Sequence, residues 1–252
     1  MTQSSRNRLL EMMPAGDADL LRPHLQNVVF KFRMPLYEAD TPIEHVYFPL
    51  EGVASLVSTM KNGQSAEIGT IGNEGIVGLP VILGDTTAPT NVYIQVPGAG
   101  FRLKAGILRD LMERSSASRV LMLHYVHAFF NQVAQSAACN HFHSLERRCC
   151  RWLLMTHDRV QSDQFMLTQD FLAMMLGVRR TGVTEAAQKL KEMKLIEYSR
   201  GHVTILDRAG LEHHTCECYA VSKHEFDRLL GPAQGLWPQR GLRSVGSVVS
   251  DK

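Results

Sequence analysis

The chain has 252 residues, of which 44% are hydrophobic and 21% charged, and its formal net charge is +2. That length allows two modest domains with cores of their own, and the balance excludes a disordered or fibrous protein and a surface that is basic all over. No apolar run approaches the ~18–20 residues of a membrane span, and the N-terminal segment lacks the apolar centre of a secretory signal. No membrane partner is expected, and cytoplasmic residence follows by default.

Residues 6–27 read as a helical lead-in with Leu9, Leu10, Met12 and Met13, then Leu20, Leu21 and Leu25. Pro14-Ala15-Gly16-Asp17 breaks it into two short helices, with Asp17 as the cap of the second. From Val28 to about Leu103 the pattern changes to short strands: Val28–Phe32, His45–Phe48, Val53–Val57, Ala66–Ile71, Val92–Val96 and Gly100–Leu103. Lys61-Asn62-Gly63-Gln64 is a hairpin turn of the Asn-Gly kind. Short strands at this spacing predict a β-barrel or jelly roll, not a parallel sheet.

After Lys104 the pattern turns helical, with a short helix over Ala105–Arg114 and a long one over Ala117–Ala138. Leu123, Val126, Phe130, Val133 and Ala137 recur at spacings of 3, 4, 3 and 4, a coiled-coil seam for a twin helix. Leu121, Met122, Tyr125 and Phe129 form a second apolar flank for the chain's own barrel. Ser144 is the expected cap of a helix from Leu145 to about Arg159, with Trp152, Leu153 and Met155 facing its core.

The stretch Leu167–Ile205 carries the most information. Thr168 is an N-cap hydroxyl before a short helix through Phe171, Leu172 and Met175. Gly177 supplies the left-handed turn. A second helix follows, with Val183, Ala187 and Leu190 on one face and Arg179, Arg180, Thr181, Thr184, Glu185 and Lys189 on the other. Two short helices joined by a glycine turn, the second basic at its start, form a DNA-reading helix-turn-helix. Leu195-Ile196 and Val203–Ile205 flank Arg200-Gly201 as a β-hairpin wing. From Leu176 to Thr204, six basic residues stand against three acidic ones, a modest local field suited to a few phosphate contacts. Beyond Ala209 one or two short helices follow, and residues 232–252 are aperiodic and read as a disordered tail.

The order of strand-rich domain, long seam helix and winged helix-turn-helix, with LAMMLGVRRTGVTEAAQKLKEMKLI as the specific motif, resembles the Crp/Fnr superfamily of bacterial transcription regulators. The resemblance covers roughly residues 8 to 215. It implies an α+β architecture: a β-roll or jelly-roll sensor domain of the cyclic-nucleotide-binding type (1–116), a dimerisation helix (117–138) and a winged helix-turn-helix (139–231). It also implies a homodimer on a palindromic double-stranded DNA operator, RNA polymerase as a further partner, and a signal sensed in the β domain. The family's base-reading positions fall on Arg180, Thr181 and Glu185. Many members have Glu where Thr181 stands and Arg where Glu185 stands, so an altered operator is expected. Arg180 suits guanine O6 and N7, Glu185 can accept from cytosine N4, and Thr181 can touch a thymine methyl. Thr168, Arg179, Thr184, Lys189, Lys194 and Arg200 are expected on phosphates.

In this family cyclic nucleotide binding uses a Glu just after a Gly and an Arg on the phosphate. Here Gly78 is followed by Leu79, and Pro89-Thr90-Asn91 offers no arginine. Gly78, Leu79, Thr90 and Asn91 are therefore candidates for an effector pocket of unknown specificity, and cyclic AMP is not the expected ligand. The five cysteines, Cys139, Cys149, Cys150, Cys216 and Cys218, read as free thiols in a reducing compartment. None precedes Cys139, which removes the N-terminal iron–sulfur cluster of one family branch. No cofactor is assigned. Haem through His24, His45, His124 or His127, and a thiol-based sensor of the same fold, stay open as alternatives, as does an effector-binding module without DNA activity. His213-His214-x-Cys216-x-Cys218 is short for a structural zinc site, so no metal is assigned. Cys149 and Cys150 are expected to pack on a helix. No phosphate loop, nucleophile elbow or HExxH motif is present, so an enzyme is not expected.

Overall fold

The computed structural model describes residues 7–160 and 162–231; the expected tail, 232–252, lies outside them. Two short helices, α1 (Arg8–Met12) and α2 (Ala15–Leu21), and a 3-10 turn lead into the strands. The helix α2 begins after Pro14, which suits a first helical turn, so Asp17 lies inside the helix and is not its cap. Its carboxylate instead accepts from the Ser115 and Ser118 hydroxyls, at 2.5 Å each.

Seven strands build the first domain: β1 (Gln26–Phe30), β2 (Pro35–Tyr37), β3 (His45–Pro49), β4 (Val53–Thr59), β5 (Ser65–Ile71), β6 (Asn91–Val96) and β7 (Gly98–Lys104). They form two antiparallel sheets in the orders β1-β7-β3 and β2-β6-β4-β5, the jelly-roll-like sandwich that short, evenly spaced strands predict. The strand β2, three residues opened by a proline, was not legible. The β4–β5 hairpin turns at Gly63, φ 83°. A short helix, α3 (Leu79–Ile82), follows a segment with glycines at Gly72, Gly75 and Gly78. Phe30, Phe48, Ile71, Ile94 and Leu103 fill the core of the sandwich.

Helix α4 (Ala105–Arg114) has the expected bounds. The long helix α5 runs from Ser116 to Phe142, past the expected end at Ala138, because nothing in Cys139-Asn140-His141-Phe142 breaks it. Its inner face buries Leu121, Met122, Tyr125, Ala128, Phe129 and Gln132 against the sandwich. The Tyr125 hydroxyl donates to the Ile76 carbonyl at 3.1 Å, and the Gln132 amide to that of Thr70 at 3.0 Å. A Cβ at Gly75 would stand 2.3 Å from the Tyr125 ring, so only glycine lets the loop and helix close on each other.

The second domain comprises α6 (Leu145–His157), β8 (Gln164–Met166), α7 (Gln169–Leu176), α8 (Arg180–Glu192), β9 (Ile196–Ser199), β10 (His202–Ile205), α9 (Arg208–His214) and α10 (Cys218–Leu230). Ser144 occupies the N-cap position of α6 but makes no side-chain cap bond. The wing is three-stranded, in the order β8-β10-β9. The core of the second domain includes Val53, Val57 and Val96 from the sandwich, so the two domains share an apolar boundary. The last helix, α10, turns back along α5: Phe226 packs on Tyr125, and Asn131 donates to Glu225 at 2.6 Å. Among the described residues no helix is long and apolar enough to cross a membrane.

Candidate nucleic-acid interface

Thr168 opens α7 in an extended backbone conformation, and its hydroxyl accepts the Phe171 amide at 3.2 Å, a cap that contributes about 1 kcal/mol. The helix buries Phe171, Leu172, Ala173, Met175 and Leu176 and ends at Gly177, φ 62°. A side chain is disfavoured in that left-handed conformation, and the Val178 amide returns to the Ala173 carbonyl at 3.0 Å.

After this turn α8 buries Val183, Ala186, Ala187 and Leu190. Its opposite face exposes Arg180, Thr181, Thr184, Glu185, Gln188 and Lys189, pairs of neighbours that recur every four residues and so share one helical face. Arg180, Thr181 and Glu185 stand on the first two turns, the part of a recognition helix that meets base edges. Gln188 belongs to the same face and was missed; its spacing of four from Thr184 was the available signal. Its amide donates to Glu192 at 3.0 Å.

The charges on this surface are lightly held. Arg180 pairs with Asp170 at 3.3 Å, Lys191 with Glu197 at 2.6 Å, and Lys189 with Glu146. Exposed pairs of this kind contribute little and are readily exchanged for phosphate. Among the described residues no ion pair involves Arg179, Lys194 or Arg200. Arg200 and Gly201 turn the wing hairpin with φ of 47° and 78°, the consecutive left-handed pair that a two-residue hairpin requires. Thr168 uses its oxygen as an acceptor for the Phe171 amide. The Thr184 hydroxyl already reaches Gln169 at 2.8 Å.

The helix-turn-helix docks directly on the sandwich. Phe171 lies 5.5 Å from Phe32 and 6.3 Å from Tyr93, centroid to centroid, and a Cβ at Gly177 would meet Ala66 at 3.5 Å. Trp152 on α6 donates to Glu67 on β5 at 3.0 Å.

Comparison with known proteins agrees with this arrangement. Residues 28–115 match the cyclic nucleotide-binding domain, and residues 147–214 match the Crp-like helix-turn-helix domain. The chain belongs to the Crp/Fnr family of transcription regulators. A Crp/Fnr-family regulator from Eubacterium rectale shares the fold with a TM-score of 0.64 at 17% identity, over 82% of this chain and 96% of that one. FixK2 from Bradyrhizobium japonicum gives 0.66 at 12%, over 76% and 98%. CLP from Xanthomonas campestris, described as a c-di-GMP responsive global regulator, gives 0.59 at 16%, over 77% and 100%. A search of curated proteins returned no match.

For a Crp/Fnr regulator the seam of α5 matters next. Leu123 is 43% and Phe130 66% exposed, and Ala137 is also exposed. Val126 and Val133 are half-buried against the chain's own sandwich. Val120 and Phe142, not part of the predicted seam, add exposed apolar surface at its two ends.

In the first domain the candidate pocket residues are engaged with their own chain. Gly78, φ 123°, sits where a Cβ would fall 2.5 Å from Val46. Asn91 accepts the Ala39 amide at 3.0 Å. Thr90 bonds the phenol of Tyr37, whose pKa burial pushes up to about 12. Cys149 and Cys150 pack in the winged-helix core, and burial raises both thiols, Cys150 to about 12, far from a reactive thiolate. His24, His124 and His127 are exposed and His45 is half-buried. The metal-type donors that converge are Cys139, His143, Cys216 and Cys218; His213 and His214 are not among them.

Proposed function

We propose that the chain acts as a homodimeric, sequence-specific regulator that reads a palindromic operator through Arg180, Thr181 and Glu185. The exposed face of α8, held rigid from behind by Val183, Ala186, Ala187 and Leu190, carries this reading. Thr168, Arg179, Thr184, Lys189, Lys194 and Arg200 then set the register on phosphates. Pairing along Leu123, Phe130 and Ala137 supports two recognition helices about 34 Å apart, one turn of DNA. RNA polymerase is the downstream partner in this reading.

The signal enters through the sandwich, whose strands touch α7, so a shift there moves the reading helix without an intermediary. A small-molecule effector at Gly78, Leu79, Thr90 and Asn91 is part of the reading, and cyclic AMP is not that effector. Leu79 cannot accept a ribose hydroxyl, and the segment before β6 supplies no arginine for a phosphate. Calorimetric titration with cyclic AMP, and with c-di-GMP because CLP is described as responsive to it, checks the sensor. Micromolar affinity for cyclic AMP sinks that part. Selection of bound sequences from random DNA, with and without cell extract, tests the whole. An inverted repeat with half-sites one turn apart is expected; no enrichment overturns the reading.

A further inference from the structure

Three of the five cysteines meet at one point, where the end of α5 faces the start of α10. Cys139 lies in the last turn of α5 and His143 is its C-cap, four residues on and therefore on the same face. Cys216 and Cys218 flank Glu217, the N-cap of α10. The Cys139 and Cys216 sulfurs are 3.5 Å apart, Cys218 Sγ is 3.5 Å from His143 Nδ1, and all four donor atoms lie within 4.8 Å of one another. A tetrahedral zinc ion with bonds of about 2.3 Å to sulfur and 2.0 Å to nitrogen sets such donors about 3.5–3.8 Å apart.

Ordinary core packing does not account for this group. The three cysteines are buried yet belong to neither apolar core. Polar atoms are aimed at their sulfurs: the Gln135 amide donates to Cys218 at 3.1 Å, and the Cys218 backbone amide to Cys216. His143 presents Nδ1 to the sulfurs and carries Glu217 on Nε2 at 3.3 Å, the carboxylate–histidine arrangement that orients a metal ligand. Two buried guanidiniums, Arg148 and Arg151, stand close enough to Cys139 to interact with its charge, and each has an Nε without a partner. Among the described residues no carboxylate ion-pairs with either. Arg151 also feels the Glu67 carboxyl, but buried charges are ordinarily paired in direct contact, and a Cys3His zinc centre, with a net charge of −1, supplies negative charge beside both guanidiniums.

We propose that Cys139, His143, Cys216 and Cys218 bind a single Zn2+ ion in tetrahedral geometry, clamping the end of the long helix to the start of the last one. Binding holds all three cysteines as thiolates, so each one still protonated releases its proton as the ion enters, and the product is an anionic centre next to Arg148 and Arg151. Four protein ligands close the coordination sphere, which makes the site structural, not catalytic. Donor atoms converging this tightly suit one ion, not a cluster whose sulfurs must spread over several irons. From the clamp α10 runs along α5 to the N-terminal helix, where Arg8 pairs with Asp227 at 3.2 Å. The ion thus ties the DNA-binding domain, the long helix and the sensor domain together.

The test uses the full chain, purified under anaerobic reducing conditions. Elemental analysis is expected to find stoichiometric zinc in the wild type, and cobalt added to the stripped protein is expected to give thiolate charge-transfer and tetrahedral d–d bands. C216S and H143Q are expected to lose both signals, whereas C149S, in the separate core, keeps them. E217Q retains every ligand and is expected to bind about 10–100-fold more weakly. Should C216S fail to fold, the wild-type cobalt titration decides alone. Absent thiolate bands, an octahedral spectrum, or a Cys139–Cys216 disulfide in the protein as isolated would overturn the proposal.

Discussion

Arg159 and Glu74 form a buried bidentate pair across the domain boundary. Arg159 Nε lies 3.0 and 3.1 Å from the two carboxylate oxygens, and Nη2 lies 2.8 Å from Oε1. Nη1 donates to the Met155 carbonyl at 2.7 Å and Nη2 also to Gln132 at 3.1 Å, so every nitrogen of the Arg159 guanidinium has a partner. Removing one partner leaves the other charged and buried. Glu74→Ala is therefore expected to cost about 3–5 kcal/mol, while Glu74→Leu with Arg159→Met is expected to recover most of it. Denaturant unfolding of the three proteins checks this, and a double variant no better than the single one sinks the account.

Glu67 gives the same boundary a dependence on pH. Burial pushes its carboxyl up to about 7, against the opposing pull of hydrogen bonds from Ser55 and Trp152 and of the Arg151 and Arg159 charges. The Ser55 hydroxyl lies 2.7 Å from Glu67 and 2.6 Å from Gln95 Oε1. Its one proton cannot serve two acceptors. A protonated Glu67 resolves this by donating to Ser55, which donates to Gln95, whose amide reaches Thr156 on α6 at 3.4 Å.

Because the folded pKa lies above the ordinary 4.5, the unfolded chain releases this proton first as pH rises. Glu67 thus costs nothing in acid and progressively more as pH climbs from 4.5 through 7. Glu67→Gln keeps a donor for Ser55 and an acceptor for Trp152 without the charge. It is expected to be more stable than wild type above pH 7 by about 1–3 kcal/mol and equal to it in acid. Melting curves across pH that run parallel for the two proteins would refute this.

The features legible in the sequence are those encoded locally. The α7–Gly177–α8 unit announces itself by helical periodicity, a capping hydroxyl and one glycine, all within a few turns. The strand β8, at three residues, is too short to show a period, and Gln188 was overlooked although its spacing was there to read. The Cys139–Cys216 approach spans 77 residues and the Trp152–Glu67 contact 85. No local pattern encodes either, because each depends on how α6 and α10 return to earlier parts of the chain. The sequence-level cluster His213-His214-x-Cys216-x-Cys218 held half of the converging donors for that reason.

In the proposed reading of DNA, Arg180 and Lys194 have separate roles. Arg180 points from the first turn of α8 and need only exchange Asp170 for a base. Lys194, left-handed at φ 58° just past the helix end, is proposed to contact the DNA backbone. Arg180→Ala is expected to lose about 1–3 kcal/mol on the selected operator and little on random duplex, while Lys194→Ala weakens both alike and lowers the salt slope by about 1. Titrations against both duplexes at several salt concentrations measure this. Equal losses on the two DNAs for Arg180→Ala remove it from the base-reading set.

Phe130 tests the seam. Its ring is 66% exposed on α5, so the single chain gains little from it, whereas a twin helix would bury it beside Leu123 and Ala137. A carboxylate in its place would face its own symmetry mate across an apolar contact, an unpaired charge that association cannot desolvate cheaply. Phe130→Glu is expected to keep its helical circular dichroism and its melting behaviour at low concentration, but to sediment as a monomer. With one recognition helix per particle, it should bind the full operator no better than a half-site. A Phe130→Glu protein that remains dimeric places the interface on another surface.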